Sequence, residues 1–112
     1  MGKASRRSGI AFERQARDLL RRLWPDARRG LGQAYGAQQA DIEGTPIRWE
    51  VKCHAQWPPI EAAIQQLERD GEKYSDSRIQ AVMHKRKNKT GWRVTMDFEH
   101  FVRLVAAEKG ES

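Results

Sequence analysis

A single cysteine, Cys53, is all the thiol chemistry this sequence offers, and no run of apolar residues is long enough for a signal-peptide core or a membrane span. An intrachain disulfide is therefore excluded, and a reducing, cytoplasmic setting is the expectation. The histidines His54, His84 and His100 share no metal-ligand spacing with one another or with Cys53, which argues against a zinc site. Internal repeats and low-complexity segments are also missing, and 112 residues leave room for one core only. Acidic residues are absent from one stretch, 85–93, which carries five basic side chains.

What the chain has in abundance is charge. Charged residues make up 32% of it, and 21 Lys+Arg against 15 Asp+Glu give a net charge of +6 and an isoelectric point of about 9.9. Mean hydropathy is −0.85, yet the apolar residues recur with helix and strand periods, so a packed domain is expected rather than a disordered polymer. The basic balance favours a polyanionic partner, and a membrane surface is the weaker choice because no basic amphipathic helix presents a broad aromatic face. Residues 1–30 hold nine basic and three acidic side chains, whereas 31–84 hold five basic and eight acidic. An acidic middle lies between basic arms. A protein that only grips phosphates gains nothing from carboxylates there, but one that recruits a cation to cut phosphates needs them.

Along the chain, 1–7 reads as a flexible basic arm, 8–107 as one domain and 108–112 as a frayed end. Phe12, Ala16, Leu19, Leu20 and Leu23 predict a helix from Ser8 to Leu23, closed by Trp24-Pro25. A short strand near Arg28 to Leu31 precedes a Gly- and Gln-rich loop. Strands are predicted over Ala40–Glu43 and Ile47–His54 around Gly44-Thr45-Pro46, the second alternating between apolar Ile47, Trp49, Val51, Cys53 and ionic Arg48, Glu50, Lys52, His54. A helix over Ile60–Arg69 stops at Gly71 and covers one sheet face. Strands Arg78–His84 and Trp92–Met96 flank the basic loop, and Asp97 caps a last apolar helix. The predicted order is α-β-β-β-α-β-β-α, an α/β fold.

The period of two puts Glu50 and Lys52 on one face, roughly 6.6–7 Å apart at their Cα atoms. If residues 44 and 47 flank the turn, Asp41 stands across from Glu50 on that face. Two such carboxylates suit Mg²⁺ or Mn²⁺, which can polarise a phosphate and lower the pKa of a bound water, with Lys52 orienting the water or neutralising developing charge.

Asp41 followed by Glu50-Val51-Lys52, between an N-terminal helix and a later one, resembles the PD-(D/E)xK nuclease superfamily, especially small archaeal and phage Holliday-junction resolvases. The resemblance covers about residues 8–105 and departs from the pattern at Ala40, where a Pro usually precedes the Asp. It implies a restriction-endonuclease-like core with a central mixed sheet flanked by helices. It also implies a metal site of Asp41, Glu50, Val51 and Glu13, the last from the first helix, a helper glutamine at Gln66 rather than Gln65, and a homodimer acting on branched DNA. The last helix or Trp57 is the candidate interface.

Plainer readings compete at each position. Glu50 with Lys52 is also an exposed ion-pair face worth at most about 1 kcal/mol, and Glu13 is also a helical partner for Arg17. Lys85, Arg86, Lys87 and Lys89 read as DNA-backbone contacts or as a solvated hairpin tip, and Arg6, Arg7 and Arg29 divide the same way. Rival functions are a nuclease acting on linear, nicked or flapped DNA and a catalytically silent DNA-binding module.

Overall fold

The computed structural model describes residues 3–30, 39–55 and 59–110. Among them the chain forms α1 (Lys3–Leu20), β1 (Arg28–Arg29), β2 (Ile42–Glu43), β3 (Ile47–His54), α2 (Ile60–Lys73), β4 (Ile79–Arg86), β5 (Arg93–Thr95) and α3 (Phe98–Glu108). These build an α/β fold whose mixed five-stranded sheet, in the order β1-β2-β3-β4-β5, is flanked by the three helices. The element order is the one the periodicities predict.

β3 and β4 run parallel, paired from Ile47↔Ile79 to His54↔Arg86, and their outer neighbours are antiparallel. Parallel neighbours cannot be joined by a tight turn, so the chain crosses over through α2. Both faces of the central pair are consequently covered. On one, Ile47, Trp49, Ile79, Ala81 and Met83 pack with Ala16 and Leu20 of α1. On the other, Val82 packs with Ala63 and Leu67 of α2.

This coverage corrects the picture of β3 with one open ionic face. Arg48, on that face, is only 2% exposed. A buried guanidinium requires compensation, and Arg48 Nη1 pairs with Asp76 Oδ2 at 2.8 Å. Arg78 extends the network, reaching Asp76 Oδ2 at 2.7 Å and Glu43 Oε1 at 2.9 Å. Glu43 Oε2 in turn accepts the Ala40 N–H at 2.7 Å, so the network ties the segment carrying Asp41 to the central strands.

Several boundaries differ from expectation. α1 begins at Lys3, inside the predicted arm, and ends at Leu20. Its exit tightens into bonds from Arg22 N–H to Leu19 O and Leu23 N–H to Leu20 O ahead of Trp24-Pro25. Leu23, assigned to the buried stripe, therefore turns to solvent at 70% exposure. Of the predicted strand Arg28–Leu31, β1 keeps Arg28 and Arg29, and Leu31 lies outside the described residues.

α2 runs through Gly71 to Lys73 instead of stopping there. A Cβ at Gly71 would lie 2.6 Å from Gln80 Nε2 and 3.1 Å from Asp76 O, so the bare glycine lets the helix lie close against β4. β4 continues past His84 because its ladder with β3 continues, Cys53↔Lys85 and His54↔Arg86. β5 is shorter than predicted. Asp97 occupies the N-cap position of α3 but makes no side-chain cap bond. Phe98, Phe101 and Val102 of α3 are exposed, and Leu104 is its apolar contact with the core.

Candidate active site

The β2–β3 hairpin is closed by Gly44-Thr45-Pro46, with Gly44 at φ +83°, a left-handed value glycine adopts without strain. Ile42 stands opposite Trp49, the register assumed from the sequence. The predicted strand Ala40–Glu43 nevertheless shortens to Ile42–Glu43. Asp41 N–H donates to Trp49 O at 3.1 Å although Ile42 is the ladder partner of Trp49, so two residues of one strand face one of the next. A bulge of this kind re-aims a side chain. Asp41 Oδ2 accepts the Val51 N–H at 2.8 Å, which holds the carboxylate against β3.

Glu50 and Lys52 project on the α2 side of β3, with Lys52 Nζ 3.5 Å from Glu50 Oε1. Burial, and secondarily the charge of Glu50, push the Asp41 carboxyl up to about 7, against the Val51 N–H and Lys52; Glu13 adds to the rise. Burial also raises Glu50, opposed by Lys52 and reinforced by Asp70 and Glu13. These carboxylates therefore share one field, and their mutual repulsion is what a cation relieves.

The donors are oxygens only, which fits a hard cation such as Mg²⁺ or Mn²⁺ that takes one or two carboxylates and completes its shell with water and phosphate. A preassembled cage is a different matter: among the described residues no group of three or more His, Cys, Asp or Glu side chains gathers closely enough to hold a metal ion. The proposed third carboxylate, Glu13, is engaged elsewhere. Its Oε1 accepts from Arg29 Nε at 3.1 Å, which also occupies the arginine expected on DNA, and the sequence-level alternative of Arg17 as its partner is not realised, since Arg17 Nε pairs with Asp18 Oδ1 at 2.9 Å.

Gln66 is half-buried on α2 while Gln65 is exposed. Gln66 Nε2 donates to Asp70 Oδ1 at 2.9 Å and its Oε1 accepts from Arg69 Nη2 at 2.9 Å. Asp70 was missed in the sequence, although a glutamine and an aspartate at i,i+4 is a readable helical hydrogen-bond signal.

The basic segment divides. Arg86, Lys87 and Lys89 are exposed around the β4–β5 turn, and Lys87 N–H donates to His54 O at 2.8 Å, fastening the turn to the C-terminal end of β3. Lys85 instead lies over aromatic faces, its Nζ 5.8 Å from the Phe12 ring centre and 5.9 Å from that of Trp92. It is drawn inward by cation–π attraction rather than standing free in the loop. The side chains of Arg6 and Arg7 and the whole of Trp57 lie outside the described residues. Among the described residues no helix is long and apolar enough to cross a membrane.

Compared with known proteins, the chain matches no family model, no curated protein and no solved structure. The functional reading therefore rests on the site's own chemistry.

Proposed function

We propose that this chain is a divalent-metal-dependent DNA endonuclease of the PD-(D/E)xK kind, with a restriction-endonuclease-like core and a preference for branched DNA such as four-way junctions. The observation that carries the reading is the convergence of Asp41, just ahead of β2, with Glu50 and Lys52 of β3, toward the sheet end where the basic β4–β5 turn is fastened. Ligands of open α/β sheets collect at the carboxyl ends of the strands, where that turn lies.

Mg²⁺ or Mn²⁺, when bound, supplies Lewis acidity toward the scissile phosphate and a water of lowered pKa. Asp41 and Glu50 would hold it, and the Val51 N–H keeps Asp41 aimed. Lys52, a donor already beside Glu50, orients the attacking water or meets charge developing on the phosphate. Arg29, were it to exchange Glu13 for a DNA phosphate, would release Glu13 as a further carboxylate for the cation. Arg86, Lys87 and Lys89 grip the backbone. Two cuts across a junction need two sites, so the unit is a homodimer, with the exposed Phe98, Phe101 and Val102 of α3 facing a second copy.

One observation favours a rival. The Glu13–Arg29 and Glu50–Lys52 pairs already neutralise both carboxylates, as in a module that binds DNA without cutting it. Such a module binds DNA equally well in EDTA and cleaves none.

The test incubates wild type, Glu50→Gln and Lys52→Ala with labelled four-way junctions, flapped, nicked and linear duplexes, in Mg²⁺ and in EDTA, with sedimentation reading the stoichiometry. Wild type should cut junctions in Mg²⁺ alone, and both variants should bind without cutting. Wild-type inactivity on every DNA sinks the nuclease reading, and cutting of linear or flapped DNA in preference replaces the junction assignment.

A further inference from the structure

We propose that Asp70 is a further positioning residue of this site, its buried carboxylate fixing the Gln66 amide and adding the negative charge that draws a divalent cation to Asp41 and Glu50. The inference rests on the metal-site reading above. Asp70 lies on the buried face of α2 with Ala63, Leu67 and Gly71, and is 9% exposed. Its side chain receives one hydrogen bond, the 2.9 Å bond from Gln66 Nε2. No lysine, arginine or histidine among the described residues pairs with it.

The carboxylate thus has no cationic partner, and its second oxygen keeps contact with solvent. The contrast within the molecule is direct: buried Arg48 has Asp76 at 2.8 Å. Glutamine–aspartate pairs at i,i+4 stabilise a helix from its surface, and this one has its aspartate on the buried face. The face it joins is that of Glu50. The ladder partner of Glu50 is Val82, and Val82 packs against Ala63 and Leu67 of α2. Arg69 Nη2 holds the other end of the Gln66 amide, so the glutamine is oriented from both sides. A carboxylate with no cationic side chain beside it, on the face of Glu50, deepens the negative potential before any cation arrives, and its charge helps push the Glu50 carboxyl up.

The experiment uses the whole chain with Asp70→Asn, which removes the charge but keeps an oxygen for the Gln66 N–H. Mn²⁺ binding is titrated by electron paramagnetic resonance without DNA, alongside urea unfolding in EDTA. Asp70→Asn should bind Mn²⁺ about ten- to a hundred-fold more weakly while unfolding at the same or higher urea concentration, since a neutral amide is easier to bury. Cleavage should be lost at low Mn²⁺ and recover at saturating Mn²⁺. Glu61→Gln, an exposed charge on the same helix, should bind Mn²⁺ as wild type does. The proposal is overturned if Asp70→Asn binds Mn²⁺ like wild type, or if affinity falls only in step with lost stability. If wild type and Glu50→Gln bind Mn²⁺ alike, the site reading itself has failed, and this proposal with it.

Discussion

Asp41→Asn should make the protein more stable at pH 8 in EDTA, a direction opposite to that of most substitutions at a hydrogen-bonded, partly buried position. Burial and the charge of Glu50 carry the Asp41 carboxyl from 3.8 up to about 7. Between those values the folded chain keeps a proton that the unfolded chain has released. Stability therefore falls as pH rises from about 4 to about 7 and levels off above. At 1.36 kcal/mol for each factor of ten, full ionisation costs the fold at most about 4 kcal/mol. Against a typical domain stability of about 5–15 kcal/mol that is a large fraction. Asparagine carries no charge and keeps an oxygen for the Val51 N–H, so most of that loss is regained. The assay is urea unfolding followed by tryptophan fluorescence from pH 5 to 8.5, in EDTA and in Mg²⁺. Wild type should lose stability through the lower part of that range and regain it with Mg²⁺ at pH 8, while the variant shows neither effect. A variant less stable than wild type at pH 8 in EDTA, or one with the same pH slope, refutes the reasoning.

Asp76 works with the opposite sign, since Arg78 and Arg48 hold its carboxyl well below the usual carboxylate range. Its contribution is present above about pH 4 and is lost as pH falls below that value. Asp76→Ala removes the carboxylate that pairs with buried Arg48 and with Arg78, and should cost about 3–5 kcal/mol in urea unfolding; a loss under about 1 kcal/mol contradicts the network's role. On the DNA side, Lys87→Ala with Lys89→Ala should lower the slope of log affinity against log salt by about two, with the cleavage position unchanged. An unaltered slope removes the β4–β5 turn from the DNA interface.

The strongly periodic elements were legible because one physical pattern governs each. β3 alternates over its whole length, and its predicted bounds, Ile47–His54, are those observed. The hairpin register followed from the turn residues alone. Boundaries failed where tertiary contact outweighs local preference. Gly71 carries the signal of a helix stop, yet what it answers to is Gln80, nine residues further along the chain and pressed against it. Lys85 reads as one of several loop cations, but the continued β3–β4 ladder puts it in a strand over Phe12 and Trp92. The bulge at Asp41 was not readable, because period-two reasoning has no term for an extra residue. Nor was the pairing of Glu13 with Arg29, which joins α1 to β1 across residues no local rule relates.

β1 and β2 are two residues long, whereas the β3–β4 ladder has eight register pairs. The outer pair can thus open at a fraction of the free energy that unfolds the centre. When it opens, Ile42 is withdrawn from the core, Asp41 leaves Glu50 and the Val51 N–H loses its acceptor, while the β3–β4 ladder stays paired. The Val51 amide thereby serves as a clock for the site: its hydrogen exchange counts how often the two carboxylates come apart, separately from how often the protein unfolds.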